Sequence, residues 1–559
     1  MAMAQAPASY EPDVPPGNLL SDPTTCSNRE DITEHPIPPQ DDSPAIFDEA
    51  KLERLGRQRP DTLRNALTES CFVLTMLLSM MMSEFYVSGF NIILPSVALE
   101  LDIPDAVRTW PAAVPNLSTA ALLLPFSRLG DIYGARGVFL TGHAWTLVWS
   151  VAAGFSKTPN MLIIFRALQG VGFAAFLPTG LTLLASTYRP GPRKNLVFSL
   201  YGSFSPLGFY FGIFTGSVSG EYLTWRWYFW TGAFFILAVV ILGVSTIPCS
   251  VDTVNPEAKM DWLGTATIVP GLALVVYALT DGGHAPQGWR TPYIYVTLII
   301  GAILLCLAVY IQGWVSEQPL MPPAVFHQKY MKRLSIVLFS FYGVFGLYLF
   351  FASYYLENVL GTTPILAAAW FTPMAVGGII LAIAGGLILH ILPGKLLMTI
   401  SGIGFLLSGL LFAVIPAQSE SGQSRSFIYW AYVFPAMICS TIGIDITYTV
   451  TNIFITTSMP RKSQAAASGL INSLLYLGMA FWLGIGELAV STVKNARHGD
   501  LTPRQQYRIG FWTAVGLASS AIIIMMTIKF GKASSELTTD EKADLARELE
   551  MREPESGRR

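Results

Sequence analysis
The sequence predicts an all-helical membrane protein with fourteen transmembrane helices. Three observations carry this. Only 13% of its 559 residues are charged, against about 25% in soluble domains. The mean hydropathy is +0.48, and 52% of residues are hydrophobic. Apolar runs of about 20 residues, the length that crosses a bilayer, recur fourteen times along the chain.

Residues 1–68 are rich in Pro, Asp, Glu and Ser and lack apolar runs. They read as a disordered tail. No basic segment followed by an apolar one opens the chain, so the first hydrophobic helix is expected to serve as the targeting signal. The predicted spans are 70–98, 109–127, 136–155, 160–187, 196–219, 226–247, 262–280, 292–315, 334–357, 364–390, 394–415, 427–458, 464–491 and 508–530. They group as a six-helix bundle at 69–248, a linker with two additional helices at 249–333, and a second six-helix bundle at 334–532. Residues 533–559 form a second polar tail, in which Thr538-Thr539-Asp540-Glu541 has capping-box spacing.

An even number of spans puts both tails on one side. The loops at 188–195, 327–333 and 459–463 hold Arg189, Arg193, Lys194, Lys329, Lys332, Arg333, Arg461 and Lys462. Cytoplasmic loops collect Lys and Arg, so this side and both tails are expected to be cytoplasmic. The opposite loops carry Glu100, Asp102, Asp105, Asp281, Glu357 and Glu420. Lys494, Arg497, Arg504 and Arg508 run against the pattern. The only glycosylation sequon, Asn116-Leu-Ser118, falls inside the second span.

Several functions are excluded. The net charge of −2 gives no bulk attraction to nucleic acid. Five scattered cysteines make neither a disulfide framework nor a metal site. No phosphate-binding loop, HExxH or GxSxG appears, so no enzyme, cofactor or metal is expected. Transport would draw on an ion gradient.

Charge at bilayer depth is costly, so each such residue is a candidate for function. Glu84, Ser88, Asn91 and Pro95 lie at helical spacing on the first span, a polar stripe suited to a cavity. Desolvation disfavours the charged form of a carboxyl group, which suits a proton carrier. Asp445 heads a matching stripe on the twelfth span with Tyr448, Asn452 and Thr456. Arg166 lies in Leu162-x-x-x-Arg166-x-x-Gln169-Gly170-x-Gly172 and stays charged at any accessible pH. It calls for a carboxylate, a carbonyl or an anionic substrate. The fifth span carries Gly202, Pro206, Gly208, Gly212, Gly216 and Gly220, a ridge of small residues that lets another helix approach closely. Between spans two and three, Ser127-Arg-Leu-Gly-Asp-Ile-Tyr-Gly-Ala-Arg136 is a tight charged turn suited to gating, with Arg128, Asp131, Gly134 and Arg136 as its chemistry.

That turn resembles the loop between helices two and three of the major facilitator superfamily. Leu129, Asp131, Gly134 and Arg136 fall on its pattern; Ser127, Ile132 and Ala135 depart from it. The Arg166 segment resembles the helix-four motif of proton-coupled facilitators, where the arginine is implicated in proton transfer. The glycine ridge resembles the helix-five antiporter motif, with Ser205-Pro206 in place of Gly-Pro. With Trp225-Arg-Trp-Tyr-Phe-Trp230, Gly443-x-Asp445 and Gly486-Glu487, the chain is most similar to the fourteen-helix drug:proton antiporters of the fungal aminotriazole-resistance and boron-exporter group. In that branch an acid often sits on helix one near Tyr86; here either Glu84 replaces it or coupling moves to Asp445.

The resemblance implies a monomeric, proton-coupled exporter of small organic compounds working by alternating access. Ser88, Asn91, Gln169, Tyr448 and Asn452 are the candidate cavity residues. The alternatives are an importer or facilitator of a small polar solute such as ammonium or borate, and a transport-dead receptor. The expected location is the plasma membrane, or else the vacuolar membrane.

Overall fold
Local chemistry sets the helix starts. Thr158 accepts from the amide of Met161 ahead of Pro159, and Asp261 accepts from Gly264. Thr502 and Gln505 form a reciprocal capping box. Each satisfies amides that a helix N-terminus leaves without a partner. The computed structural model describes residues 56–189, 191–249, 253–285, 287–388, 392–417, 424–458, 461–497 and 501–528. Most of the predicted N-terminal tail, the C-terminal tail with its Thr538–Glu541 capping box, Cys26, His390 and Glu420 lie outside the described residues. So do the side chains of Thr456, Arg461, Lys462 and Gln464.

In chain order the long helices are α1 (Ala66–Glu100), α2 (Trp110–Tyr133), α3 (Ala135–Gly154), α4 (Pro159–Thr187), α5 (Pro192–Tyr222), α6 (Arg226–Thr246), α7 (Trp262–Asp281), α8 (Pro292–Tyr310), α9 (Met331–Asn358), α10 (Pro364–Ile388), α11 (Gly394–Ala413), α12 (Phe434–Ser458), α13 (Arg461–Ala496) and α14 (Pro503–Met526). A π turn, Ile311–Val315, prolongs α8, and another, Tyr429–Val433, leads into α12.

Among the described residues twelve helices are long and apolar enough to cross a membrane. Fourteen long helices are present, as expected, but two of them do not reach that apolarity. The two that fall short are α2 and α3. Pro111, Pro115, Asn116 and Pro125 on α2, and His143 with several Gly, Thr and Trp residues on α3, lower their mean hydropathy.

Helices α1–α6 pack among themselves, and so do α9–α14. The two bundles meet mainly along two seams, α5 on α10 and α2 on α13, with a lighter contact of α1 on α9. Helix α7 lies on both α2 and α13, and α8 leans on α7. α9 is largely buried along its length, whereas most of α8 is exposed.

Three of the basic residues that run against the charge pattern have structural partners. Lys494 pairs with Asp105 at 3.2 Å. Arg504 donates to the Ile415 carbonyl at 2.7 Å and Arg508 to that of Ala413 at 2.9 Å. The Ala413 carbonyl is an end carbonyl of α11 that the helix itself cannot satisfy, and Ile415 follows just past the cap.

Candidate functional site
The two acids, one on each bundle, lie within electrostatic range of each other. Glu84 of α1 and Asp445 of α12 are both half-buried. Tyrosines crowd them: Tyr201 of α5, Tyr448 of α12 and Tyr476 of α13 lie within electrostatic range of Glu84, and Tyr342 of α9 within range of Tyr448. Tyr201 and Tyr342 escaped the sequence reading. Neither falls on a polar stripe headed by an acid, and only the tertiary fold brings Tyr201 near Glu84 and Tyr342 near Tyr448. Pro206 and Asp445 meet at Gly378 of α10: a Cβ added there would lie 2.8 Å from Pro206 Cβ and 3.1 Å from Asp445 Oδ2. The proline of the glycine ridge therefore belongs to the α5–α10 seam, beside an acid.

The polar stripe on α1 does not all look into one space. Ser88 is fully buried and donates to the carbonyls of Glu84 and Phe209, at 2.9 and 2.6 Å. Its hydroxyl bridges α1 to α5. Asn91 is buried and donates to the Val87 carbonyl at 2.8 Å. Both bonds satisfy a polar group against backbone, as burial requires. On α12, Asn452 is half-buried and donates to the Tyr448 carbonyl at 2.9 Å.

Arg166 forms a separate centre. It is 1% exposed. Nε donates to the Pro111 carbonyl at 3.1 Å, Nη1 to Gln169 Oε1 at 3.1 Å, and Nη2 to the Tyr86 carbonyl at 3.2 Å. Its guanidinium carbon lies 4.2 Å from the centre of the Phe90 ring, a cation–π contact. Gln169 passes the network on to Ser150 at 3.0 Å. Among the described residues Arg166 has no ion pair. Its charge is met by carbonyls and a ring face, and it ties α4 to α1 and α2. The Tyr86 carbonyl it holds lies two residues from Glu84.

The glycine ridge is real but shorter than expected. A Cβ at Gly212 would come within 2.5 Å of the Phe85 carbonyl oxygen, and one at Gly216 within 2.7 Å of the Gly89 oxygen. Gly208 sits tighter still on the Met81 carbonyl. A Cβ at Gly202 meets nothing within 4 Å, and one at Gly220 meets only ordinary contacts. The seating of α1 on α5 rests on Gly208, Gly212 and Gly216.

The charged turn is fastened to the linkers that flank the α7–α8 hairpin. The Asp131 carbonyl accepts from Asn255 N at 2.8 Å, and Ala135 N donates to Thr253 Oγ1 at 2.8 Å. Arg128 donates to the Gln318 carbonyl at 3.3 Å. Arg136 caps α6 through the Ile247 carbonyl at 3.1 Å. Gly134 joins α2 to α3 at φ 89° and ψ 133°, backbone that glycine alone adopts readily. A second missed cluster lies at the start of α1: Glu69 is 7% exposed and accepts from Tyr188 and, at two points, from Arg193. Its place at a helix end hid it, because an acid there reads as solvated. Among the described residues no group of three or more His, Cys, Asp or Glu is placed to hold a metal ion.

Comparison with known proteins agrees with this architecture. The Major Facilitator Superfamily profile matches residues 76–483. The efflux pump terJ of Aspergillus terreus is 30% identical over 490 residues, covering 85% of this chain and 90% of that one. The low affinity ammonium transporter of Saccharomyces cerevisiae is 30% identical over 427 residues, covering 75% and 80%. The aminotriazole resistance protein of the same yeast is 27% identical over 474 residues, covering 84% and 85%. Among solved structures, an auto-inhibited peptide transporter of the POT family superposes with a TM-score of 0.61 at 13% identity, covering 84% of this chain and 99% of that one. At that identity the likeness is one of fold. With a profile match across most of its length and two helical bundles meeting at paired seams, this chain belongs to the major facilitator superfamily and is a membrane transporter.

Proposed function
We propose that the protein is a proton-coupled exporter of small organic compounds, working by alternating access of the two bundles. The observation that carries this reading is the approach of Glu84 and Asp445, one acid from each bundle, within a ring of tyrosines at the interface. Two carboxyl groups held close in an apolar setting cannot both stay charged cheaply, so proton uptake is tied to how the bundles sit. Arg166 acts on Glu84 indirectly, by holding the α1 backbone at Tyr86. The turn around Asp131 and Arg136 steadies the α2–α3 pair as the bundles move. Tyr448 and Asn452 line the substrate path. The relatives named as efflux pumps support the direction of transport.

In this reading α2 and α3 also cross the bilayer, for fourteen spans in all. Both tails face the cytoplasm, and the protein works as a monomer in the plasma membrane. The internal partners of Lys494, Arg504 and Arg508 remove most of their weight against that orientation.

The relative named as an ammonium transporter favours a second reading, a carrier of a small polar solute. One experiment separates the two. Efflux of a panel of fluorescent and toxic organic compounds is measured from expressing cells, with and without a protonophore. Efflux that stops with the protonophore, and in Glu84→Gln or Asp445→Asn, is expected. Transport that persists without the gradient and in both variants would overturn proton coupling.

A further inference from the structure
The α7–α8 hairpin has no part in the transport cycle described so far, yet its two ends are held by different bundles. At one end the flanking linkers grip the α2–α3 turn through Asn255, Thr253 and Gln318. These linkers also grip each other: Lys259 N donates to Gln318 Oε1, and Gln318 Nε2 to the Glu257 carbonyl, both at 2.8 Å. At the other end the turn after α7 is held by α13. His284 Nε2 lies 3.4 Å from Glu487 Oε1. Asn495 donates to the Gly283 carbonyl at 3.4 Å, and a Cβ at Gly283 would collide with the Ser491 hydroxyl.

This second end coincides with a charged cluster between the bundles. Asp105, between α1 and α2, pairs with Lys494 of α13 and with Arg108, each at 3.2 Å. The Arg108 guanidinium carbon lies 5.1 Å from the centre of the Tyr354 ring on α9. Glu487 is 4% exposed, so its carboxyl group must be met by protein groups and not by water.

We propose that the α7–α8 hairpin is a strap across the α2–α13 seam. Its clasp, His284 on Glu487 backed by Asp105, Arg108 and Lys494, holds the bundles together on that side and must release for that side to open. The proposal rests on the alternating-access reading. If the bundles part at the Asp105–Lys494 end, a hairpin fixed to the α2–α3 turn at its far end is pulled away from α13, and the His284–Glu487 contact is the link that gives. Charge strengthens the clasp. The groups facing His284 are Glu487 of α13, Asp281 at the end of α7, and Asp105; Arg108 and Lys494 are cations that face Asp105, and Arg108 also faces Glu487. The hydrogen bond to Glu487 holds the His284 imidazole above the usual histidine range, against the effect of burial. Rising pH neutralises His284 and loosens the clasp.

The test uses the full chain with its native cysteines replaced by serine. Spin labels go on Leu99→Cys and Phe427→Cys, two exposed positions at the clasp side, and their separation is read in nanodiscs between about pH 5.5 and 8, around the histidine range. The parent is expected to gain a longer-distance population as pH rises. His284→Ala should show that population several-fold enriched at low pH, with a flat profile. His284→Lys, which keeps the positive charge, should hold the short distance throughout, and it carries the test if the alanine variant does not fold. A His284→Ala profile that matches the parent, or a His284→Lys profile that keeps the parent's pH dependence, would overturn the clasp. The distances are read without substrate or gradient, so failure of proton coupling in the efflux assay leaves this result standing, and the reverse.

Discussion

Gly212→Ala is the sharpest test of how α1 is seated. The new methyl carbon would start 2.5 Å from the Phe85 carbonyl oxygen and 2.8 Å from Phe85 Cα, both backbone atoms that cannot rotate away. Ordinary contact begins near 3.4 Å, so the two helices must part locally by about 1 Å. Forced overpacking of this kind costs about 1–3 kcal/mol. Alanine also gains about 0.8–1.0 kcal/mol of helix propensity over glycine, which masks part of the loss. Gly202→Ala on the same helix isolates the steric part, because its methyl group meets nothing within 4 Å. The difference between the two variants should be about 1–3 kcal/mol, with Gly212→Ala melting several degrees lower in detergent by tryptophan fluorescence. Phe85 adjoins Glu84, so the same displacement should lower protonophore-sensitive efflux in Gly212→Ala and spare Gly202→Ala. Equal melting and equal efflux for the two variants would refute the account of the ridge.

The strain at Gly134 predicts that Gly134→Ala loses about 1–3 kcal/mol, read as a lower melting temperature. Space is not the cause, since the nearest atom to the new Cβ is 3.5 Å away. Arg166→Lys keeps the charge but loses the planar fork that reaches Pro111, Gln169 and Tyr86 together. With about 1.5–3 kcal/mol at stake for each lost charge-assisted bond, it should melt lower and export more slowly; unchanged melting would sink the tethering role. For His284, a folded-state pKa above the unfolded one makes its stabilisation full below about pH 6.5 and lost as pH rises through the raised value. Melting curves across that window should separate parent from His284→Ala at the acid end and converge at the alkaline end.

The membrane class, the helix order and the presence of acids inside apolar helices were legible in the sequence, because lipid imposes a strict rule. Long apolar runs must be helices, and a charge within one stands out. Gly208, Gly212 and Gly216 were legible for a similar reason, since only a missing side chain lets two backbones touch. The span count was less secure. α2 and α3 are less apolar along their length than the other long helices.

That Glu84 and Asp445, separated by more than half the chain, lie within electrostatic range of each other was decided only in three dimensions. So were the tyrosines around them, the turning of Ser88 onto α5 and the carbonyl cradle of Arg166. A periodic pattern shows which face of a helix is polar, but not which helix that face meets. Arg166 shows the limit best. Its sequence setting calls for a compensating group, and carboxylate, carbonyl and anion all qualify. The tertiary fold chose carbonyls and the face of Phe90, because α1 and α2 bring those groups to it while both acids lie in the seam between the bundles.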